Sequence, residues 1–415
     1  MKFMKNNLGG EMLLSSLLLL ILMNASNVLN YLFHFIMARM LNPADYGTLA
    51  VIASIFYIFS VPTASIQTIV SKYTTKHNIK KDFGRINWMF CKLFKEGLYI
   101  SSILFVLFIL ISIFLSSLLK IHYLLLVTSG LLIFGTFLSP IGLGIFQGMK
   151  KFKALGFNLI LNSSVKIIAA IILVLLGFNV FGAVWGLIAG IFFSILFIFP
   201  YLREVTLSQK IKDKVSLFSK ENIPTLIAIL FITLMYSLDI ILAKALFSPK
   251  ISGAYSVASM IGKMVFFGTA SISNVMFPIS SEKHFRDKDN KAKNIFKVSF
   301  IFLAALCLLS VIILTIFPDL IITVLFGSKY LEISNILVYT AISFVFLSLT
   351  NNIVLYKIAI EEFNWSKVIL LGIFLVIQVM GFCIFNKSLF LFSLSFVFTS
   401  AITFIGVLLF KSIKK

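Results

Sequence analysis

Residues 24–71 read NASNVLNYLFHFIMARMLNPADYGTLAVIASIFYIFSVPTASIQTIVS. As far as Met40 the stretch is largely apolar, and Asn27, Asn30 and His34 fall within about 60° of one another at 100° per residue. Ser16 lies on the same stripe earlier in the span. A helix that is apolar on most sides with one narrow polar seam turns its bulk to lipid and its seam to something wet. Arg39 closes this span, and the turn from Leu41 to Gly47 leads into a second apolar run interrupted by Pro62. That turn has an echo. Pro43-x-x-x-Gly47 followed by TLAVIAS corresponds to Pro249-x-x-x-Gly253 followed by AYSVAS, and the same shift puts Ser65-Ile66 on Ser271-Ile272. The chain reads as two copies of one design.

Composition excludes an ordinary soluble domain. The 415 residues are 60% hydrophobic and 12% charged, with 46 Phe, against about 25% charged residues in a typical globule. The net charge of +21 would suit nucleic acid, but the basic residues form short clusters between apolar runs and no continuous face. Cys91, Cys307 and Cys383 all lie in or beside apolar runs, so neither a disulfide framework nor a metal set is expected. Residues 13–23 have the length of a signal-peptide core, but no small-x-small cleavage site follows, and a retained span is expected.

Apolar runs of about 20 residues are long enough to cross a bilayer. Twelve are found, near 12–38, 46–71, 88–117, 121–148, 155–177, 180–202, 222–246, 252–280, 295–317, 333–356, 365–385 and 388–410. With the N-terminus placed inside, 26 Lys and Arg fall in the inside segments and six outside, namely Arg39, Lys120, Lys244, Lys250, Lys329 and Lys387. Basic residues accumulate on the cytoplasmic side, so both termini are expected there. The longest break, residues 203–221, mixes basic and apolar residues as a short surface helix does. It divides the chain into an N-terminal lobe, 1–202, and a C-terminal lobe, 222–415. The expected fold is therefore an all-α polytopic membrane protein with twelve transmembrane helices in two pseudo-symmetric six-helix lobes around a central cavity. Each lobe has an even number of spans, so the repeats are parallel, related by an axis along the membrane normal.

Four basic residues fall inside spans. Lys92 and Lys95 are near enough to an end to snorkel, whereas Lys166 and Lys263 lie about half-way along spans five and eight. Asn158, Asn162 and Lys166 follow i, i+4, i+8, and Ser252, Ser256, Ser259, Lys263, Ser273 and Asn274 share one side of span eight. Thr225, Tyr236 and Asp239 share a side of span seven, as do Ser60, Thr63 and Gln67 on span two. A charge at bilayer depth costs ~2.5–3.5 kcal/mol on insertion scales, so these residues face water or a partner. An internal ion pair holding two helices together serves as well as a ligand site for Lys166, Lys263 and Asp239, and His34 is either a satisfied core histidine or a proton site. The Ser and Thr residues can bond their own helix backbone. Pro62, Pro140 and Pro224 are candidate kinks. No phosphate-cradling loop, nucleophile motif or metal-ligand spacing occurs, so neither catalysis nor a cofactor is expected.

ARMLNPADYGTLAVIASI with Pro62 and Gln67, Asp239 before LAKALFSPKISGAYSVAS, and FPDLIITVLFGSKY at 317–330 resemble the Wzx-type polysaccharide-biosynthesis flippases. These belong to the multidrug/oligosaccharidyl-lipid/polysaccharide (MOP) exporter superfamily, so the resemblance implies a MATE-like fold. The superfamily's lipid II flippases commonly carry fourteen spans, against twelve here. The resemblance implies a polyprenyl-pyrophosphate-linked oligosaccharide, such as an O-antigen, capsule or exopolysaccharide repeat unit, moved from the inner to the outer leaflet of a bacterial cytoplasmic membrane by alternating access. Membrane lipids and other polysaccharide-assembly proteins would be its partners. On this basis Lys166 and Lys263 attract the pyrophosphate, Asn27, Asn30, His34 and Gln67 contact sugar, and Arg39 and Asn162 complete the substrate-binding set. Asp239 pairs with a lysine or takes a proton. Competing expectations are an organic-cation exporter of the same superfamily, which would want more carboxylates than Asp239; a membrane polysaccharide polymerase or ligase, which would want a large outside loop; and a non-transporting scaffold.

Overall fold

The computed structural model describes residues 8–212, 223–285 and 289–409. Several positions used above lie outside the described residues: the side chain of Ser16, the linker from 213 to 221 with Lys214 and Lys220, and Lys2, Lys5, Arg286, Lys288, Lys411, Lys414 and Lys415. The described chain is helical, with no strand: α1 (Leu8–Met40), α2 (Pro43–Phe59), α3 (Val61–Asn78), α4 (Phe83–Leu119), α5 (Tyr123–Ser129), α6 (Leu132–Gly148), α7 (Phe152–Leu173), α8 (Asn179–Tyr201), α9 (Arg203–Thr206), α10 (Ile223–Leu246), α11 (Pro249–Phe285), α12 (Asp289–Ile316), α13 (Pro318–Leu325), α14 (Ser334–Ala359), α15 (Trp365–Ile384) and α16 (Leu389–Leu408). Each expected apolar run coincides with a helix or a broken pair of helices.

Among the described residues ten helices are long and apolar enough to cross a membrane, eleven when α2 and α3, bent by 43° at their junction, are taken as one span. Pro62, in the first turn of α3, supplies that break, because its ring removes the N–H that would continue α2. One of the ten, Phe152–Tyr201, contains both α7 and α8. It doubles back at a kink within Val174–Phe178, where Gly177 leaves helical geometry at φ 91°, a conformation that favours glycine. A Cβ at Gly182 would meet Leu173, at Gly186 Ala170, and at Gly190 Asn162 and Lys166. Later residues on one arm meet earlier ones on the other, so α7 and α8 form an antiparallel hairpin.

Two packing units emerge. The first comprises Met1–Leu41 and Phe59–Phe218, the second Asn42–Ile58 and Ser219–Lys415. The lobe limits expected at 202 and 222 follow charge runs, whereas these units follow contacts and group residues 42–58 with the later helices. In lipid, apolar surface gives helices little reason to associate, and small residues that let backbones approach take over that role. In the first unit Gly144 and Gly148 of α6 lie against Gln67, Val70, Ser71 and Thr74 of α3, and Gly135 and Gly142 against Ile191 and Ile198 of α8. Pro140 lies inside α6. The beginning of the linker docks in this unit: Asn87 Nδ2 donates to the carbonyls of Thr206 and Ser208, and Ile211 N donates to the Gly84 carbonyl at 3.1 Å. The surface helix expected over 203–221 is thus a single turn, α9, in its described part, because Asn87 and Gly84 capture the backbone that follows.

In the second unit the two copies of the repeated motif touch. A Cβ on Gly47 would lie 2.6 Å from Gly253 Cα, and one on Gly253 would lie 1.8 Å from the Pro43 carbonyl oxygen. The Pro-x-x-x-Gly echo therefore marks the crossing of α2 and α11, where only glycine fits. Lys244 fastens α10 to the same corner: its Nζ donates to Thr48 Oγ1 at 2.9 Å and to the Ala44 carbonyl at 3.4 Å.

Candidate functional site

In the first unit α1 and α7 bring the two expected seams together. Ser26 Oγ and Ser163 Oγ share a hydrogen bond at 2.9 Å, one turn below the point where Lys166 Nζ donates to Asn30 Oδ1. The ammonium also sits over the Phe33 ring, 4.8 Å from its centroid. Lys166 is 7% exposed, and among the described residues no carboxylate pairs with it. An amide oxygen and an aromatic face solvate a cation only in part, so this is a buried positive charge without a neutralising partner among the described residues. His34, next to Phe33 in sequence, is buried, with its ring edge-on to Phe33 at 5.3 Å. Asn162 is half-buried where α7 crosses Gly190 of α8, and Asn27 is exposed. Asn158 is drawn into structure instead: its Nδ2 donates to the Ser194 carbonyl at 2.7 Å and its Oδ1 accepts from Ser194 Oγ at 2.6 Å. Gln67 Nε2 donates to Gln147 Oε1 at 3.1 Å, tying α3 to α6, and Arg39 is exposed at the end of α1.

The second unit holds a different kind of charge. Asp239 on α10 and Lys263 on α11 are both fully buried, with Asp239 Oδ1 3.6 Å from Lys263 Nζ. Ser259 Oγ donates to Asp239 Oδ2, and Tyr255 OH lies 3.4 Å from the same oxygen. Lys263 Nζ donates to Ser54 Oγ of α2 at 3.2 Å. Of the two roles open to Asp239 in the sequence, the geometry brings it to a lysine. Here each charge is matched, and three helices are pinned at one depth.

Elsewhere on the α11 seam two serines bond backbone and one bonds a side chain. Ser252 Oγ donates to the Pro249 carbonyl and Ser256 Oγ to the Ser252 carbonyl, while Ser273 Oγ accepts from Asn352 Nδ2 at 2.8 Å. Several buried polar groups escape a reading by position. Lys244 counts as an outside charge in sequence yet is 2% exposed, and Gln378 Nε2 donates across to the Met235 carbonyl at 2.8 Å. Lys357 and Lys367, counted as loop charges, are also buried; Lys357 holds Glu362 at 2.6 Å, and Lys367 donates to the Glu362 carbonyl. Their adjacency to helix ends hid them, since a lysine there can also snorkel to water.

The family model described as "Polysaccharide biosynthesis protein" matches residues 36–335. The chain belongs to this polysaccharide biosynthesis protein family. No curated protein matches it. Among solved structures it is similar to a multidrug resistance MATE family transporter of the MOP superfamily in an inward-facing conformation, at 14% identity and a TM-score of 0.72, over 92% of this chain and 93% of that one. An outward-facing MATE transporter matches at 16% identity and 0.61, over 98% and 95%. A MOP superfamily transporter from Pyrococcus furiosus, described with a binding pocket of reversed polarity, matches at 17% identity and 0.61, over 94% and 92%. At these identities the likeness shows the fold, which is that of MOP transporters, a multi-pass membrane architecture.

Proposed function

We propose that the protein is a flippase that carries a polyprenyl-pyrophosphate-linked oligosaccharide from the inner to the outer leaflet of a bacterial cytoplasmic membrane by alternating access. It crosses that membrane twelve times, with both termini inside. The observation that carries this is Lys166: a cation held at depth by an amide oxygen and a ring, with no carboxylate to match it among the described residues. An anion is the ligand that completes such a site, and a pyrophosphate offers several acceptor oxygens to an ammonium. Asn30, His34 and Asn162, on the same pair of helices, can bond sugar hydroxyls. Lys263 takes a different part here, because Asp239 already balances it. That pairing also argues against organic-cation export: the carboxylate best placed to receive a cation is occupied by one.

The family and the fold support a transporter of polysaccharide precursors and leave the cargo to be tested. The protein reconstituted in vesicles should expose an undecaprenyl-pyrophosphate oligosaccharide on the far leaflet and should leave an organic-cation dye where it is. Dye transport with no movement of the lipid-linked sugar would refute the proposal.

A further inference from the structure

The second unit contains a pocket of about 420 Å³ where α11, α14 and α16 end and α12 begins. Its lining divides by chemistry. Ile353, Ile360, Val407 and the Tyr356 ring form an apolar floor, with Tyr356 stacked on Phe296 at 4.2 Å and 18°. His284, Asn290, Lys293, Lys357 and Glu362 form the rim. Among the described residues of the rim the carboxylate is Glu362, and it is already matched: it accepts from Lys357 Nζ at 2.6 Å, and Lys367 holds its backbone carbonyl. Lys293 is exposed and adds its charge to a pair that sums to zero, so the rim formed by the described residues is net positive. All four elements meet the pocket in segments that the Lys and Arg bias assigns to the cytoplasmic side, at the depth of lipid headgroups.

We infer that this pocket binds a lipid-borne phosphate. The phosphate lies against Lys293 and the Asn290 amide, and the first carbons of its lipid lie on the apolar floor. Neither Lys166 nor the Asp239–Lys263 pair takes part, so the site stands apart from the transport proposal and shares with it only the orientation in the membrane. Two sources supply the chemistry, an acidic phospholipid of the inner leaflet and an isoprenoid phosphate carrier.

Native mass spectrometry of the full-length protein distinguishes them, with phosphatidylcholine, phosphatidylglycerol and undecaprenyl phosphate offered at equal concentration. Phosphatidylglycerol or undecaprenyl phosphate should be retained over phosphatidylcholine, and whichever is retained names the source. Lys293→Ala should weaken that retention about fivefold, the worth of one basic residue at an anionic surface, and Lys293→Glu should abolish the preference. Removing Lys357 alone would leave Glu362 bare, so the paired change Lys357→Met with Glu362→Leu tests the rim without that penalty and should keep the preference that Lys293 confers. Equal retention of all three lipids by the native protein, or an undiminished preference in Lys293→Glu, would overturn the inference.

Discussion

At the scale of single residues, the two mid-depth lysines look alike in sequence and differ in the fold. Lys263 has Asp239 at 3.6 Å and no exposure; Lys166 has Asn30, the Phe33 ring and, among the described residues, no carboxylate. Breaking a buried pair by removing one partner costs ~3–5 kcal/mol, while replacing both with apolar residues is often neutral. Asp239→Asn should therefore lower thermal stability sharply, and Asp239→Leu with Lys263→Met should restore it, as read by the melting temperature in detergent. Equal stability of the single and double variants would contradict the pairing. Lys166→Met should behave oppositely: it removes an unmatched charge, so stability should hold or rise while transport is lost. The distinction was not legible in the sequence, where both lysines sit on polar seams. It depends on Asp239, twenty-four residues before Lys263, and on Asn30, far from Lys166 along the chain.

At the scale of elements, hydrophobic runs located almost every helix, because a bilayer demands long apolar segments whatever they pack against. The runs missed the internal breaks. The run 121–148 holds two helices, α5 and α6, and the segment before α14 holds α13 and a short 3-10 turn, Ser328–Ile333. The first break, at Gly130 and Leu131, carries no charge, so nothing in the hydropathy marks it; the second holds Asp319, Lys329 and Glu332, which end the apolar run before it without showing that the segment is helical. The Pro-x-x-x-Gly echo was legible as a repeat, and its physical reason emerges only in three dimensions, where Gly47 and Gly253 face each other. Gly253→Leu should separate α2 from α11, pull Ser54 from Lys263 and cost ~1–3 kcal/mol as an overpacking change. The check is the melting temperature together with a cross-link between cysteines placed on α2 and α11; an unaltered cross-link would show that the crossing does not need glycine. Bonds such as Gln67 to Gln147, eighty residues apart, are beyond any local pattern.

At the scale of the whole molecule, the proposed orientation has an electrical consequence. An anionic cargo moved outward is favoured by an inside-negative potential by ~2.3 kcal/mol per charge per 100 mV crossed. Imposing such a potential on reconstituted vesicles with a potassium gradient and valinomycin should speed outward movement, and reversing it should slow it. A rate indifferent to voltage would mean that the charge is neutralised in transit. The measurement that bears most directly on the role of Lys166 is the rate at which an undecaprenyl-pyrophosphate oligosaccharide becomes accessible on the far leaflet, compared among native protein, Lys166→Arg and Lys166→Met. Activity retained in Lys166→Arg and lost in a folded Lys166→Met is the expected result. Undiminished flipping by Lys166→Met would contradict it.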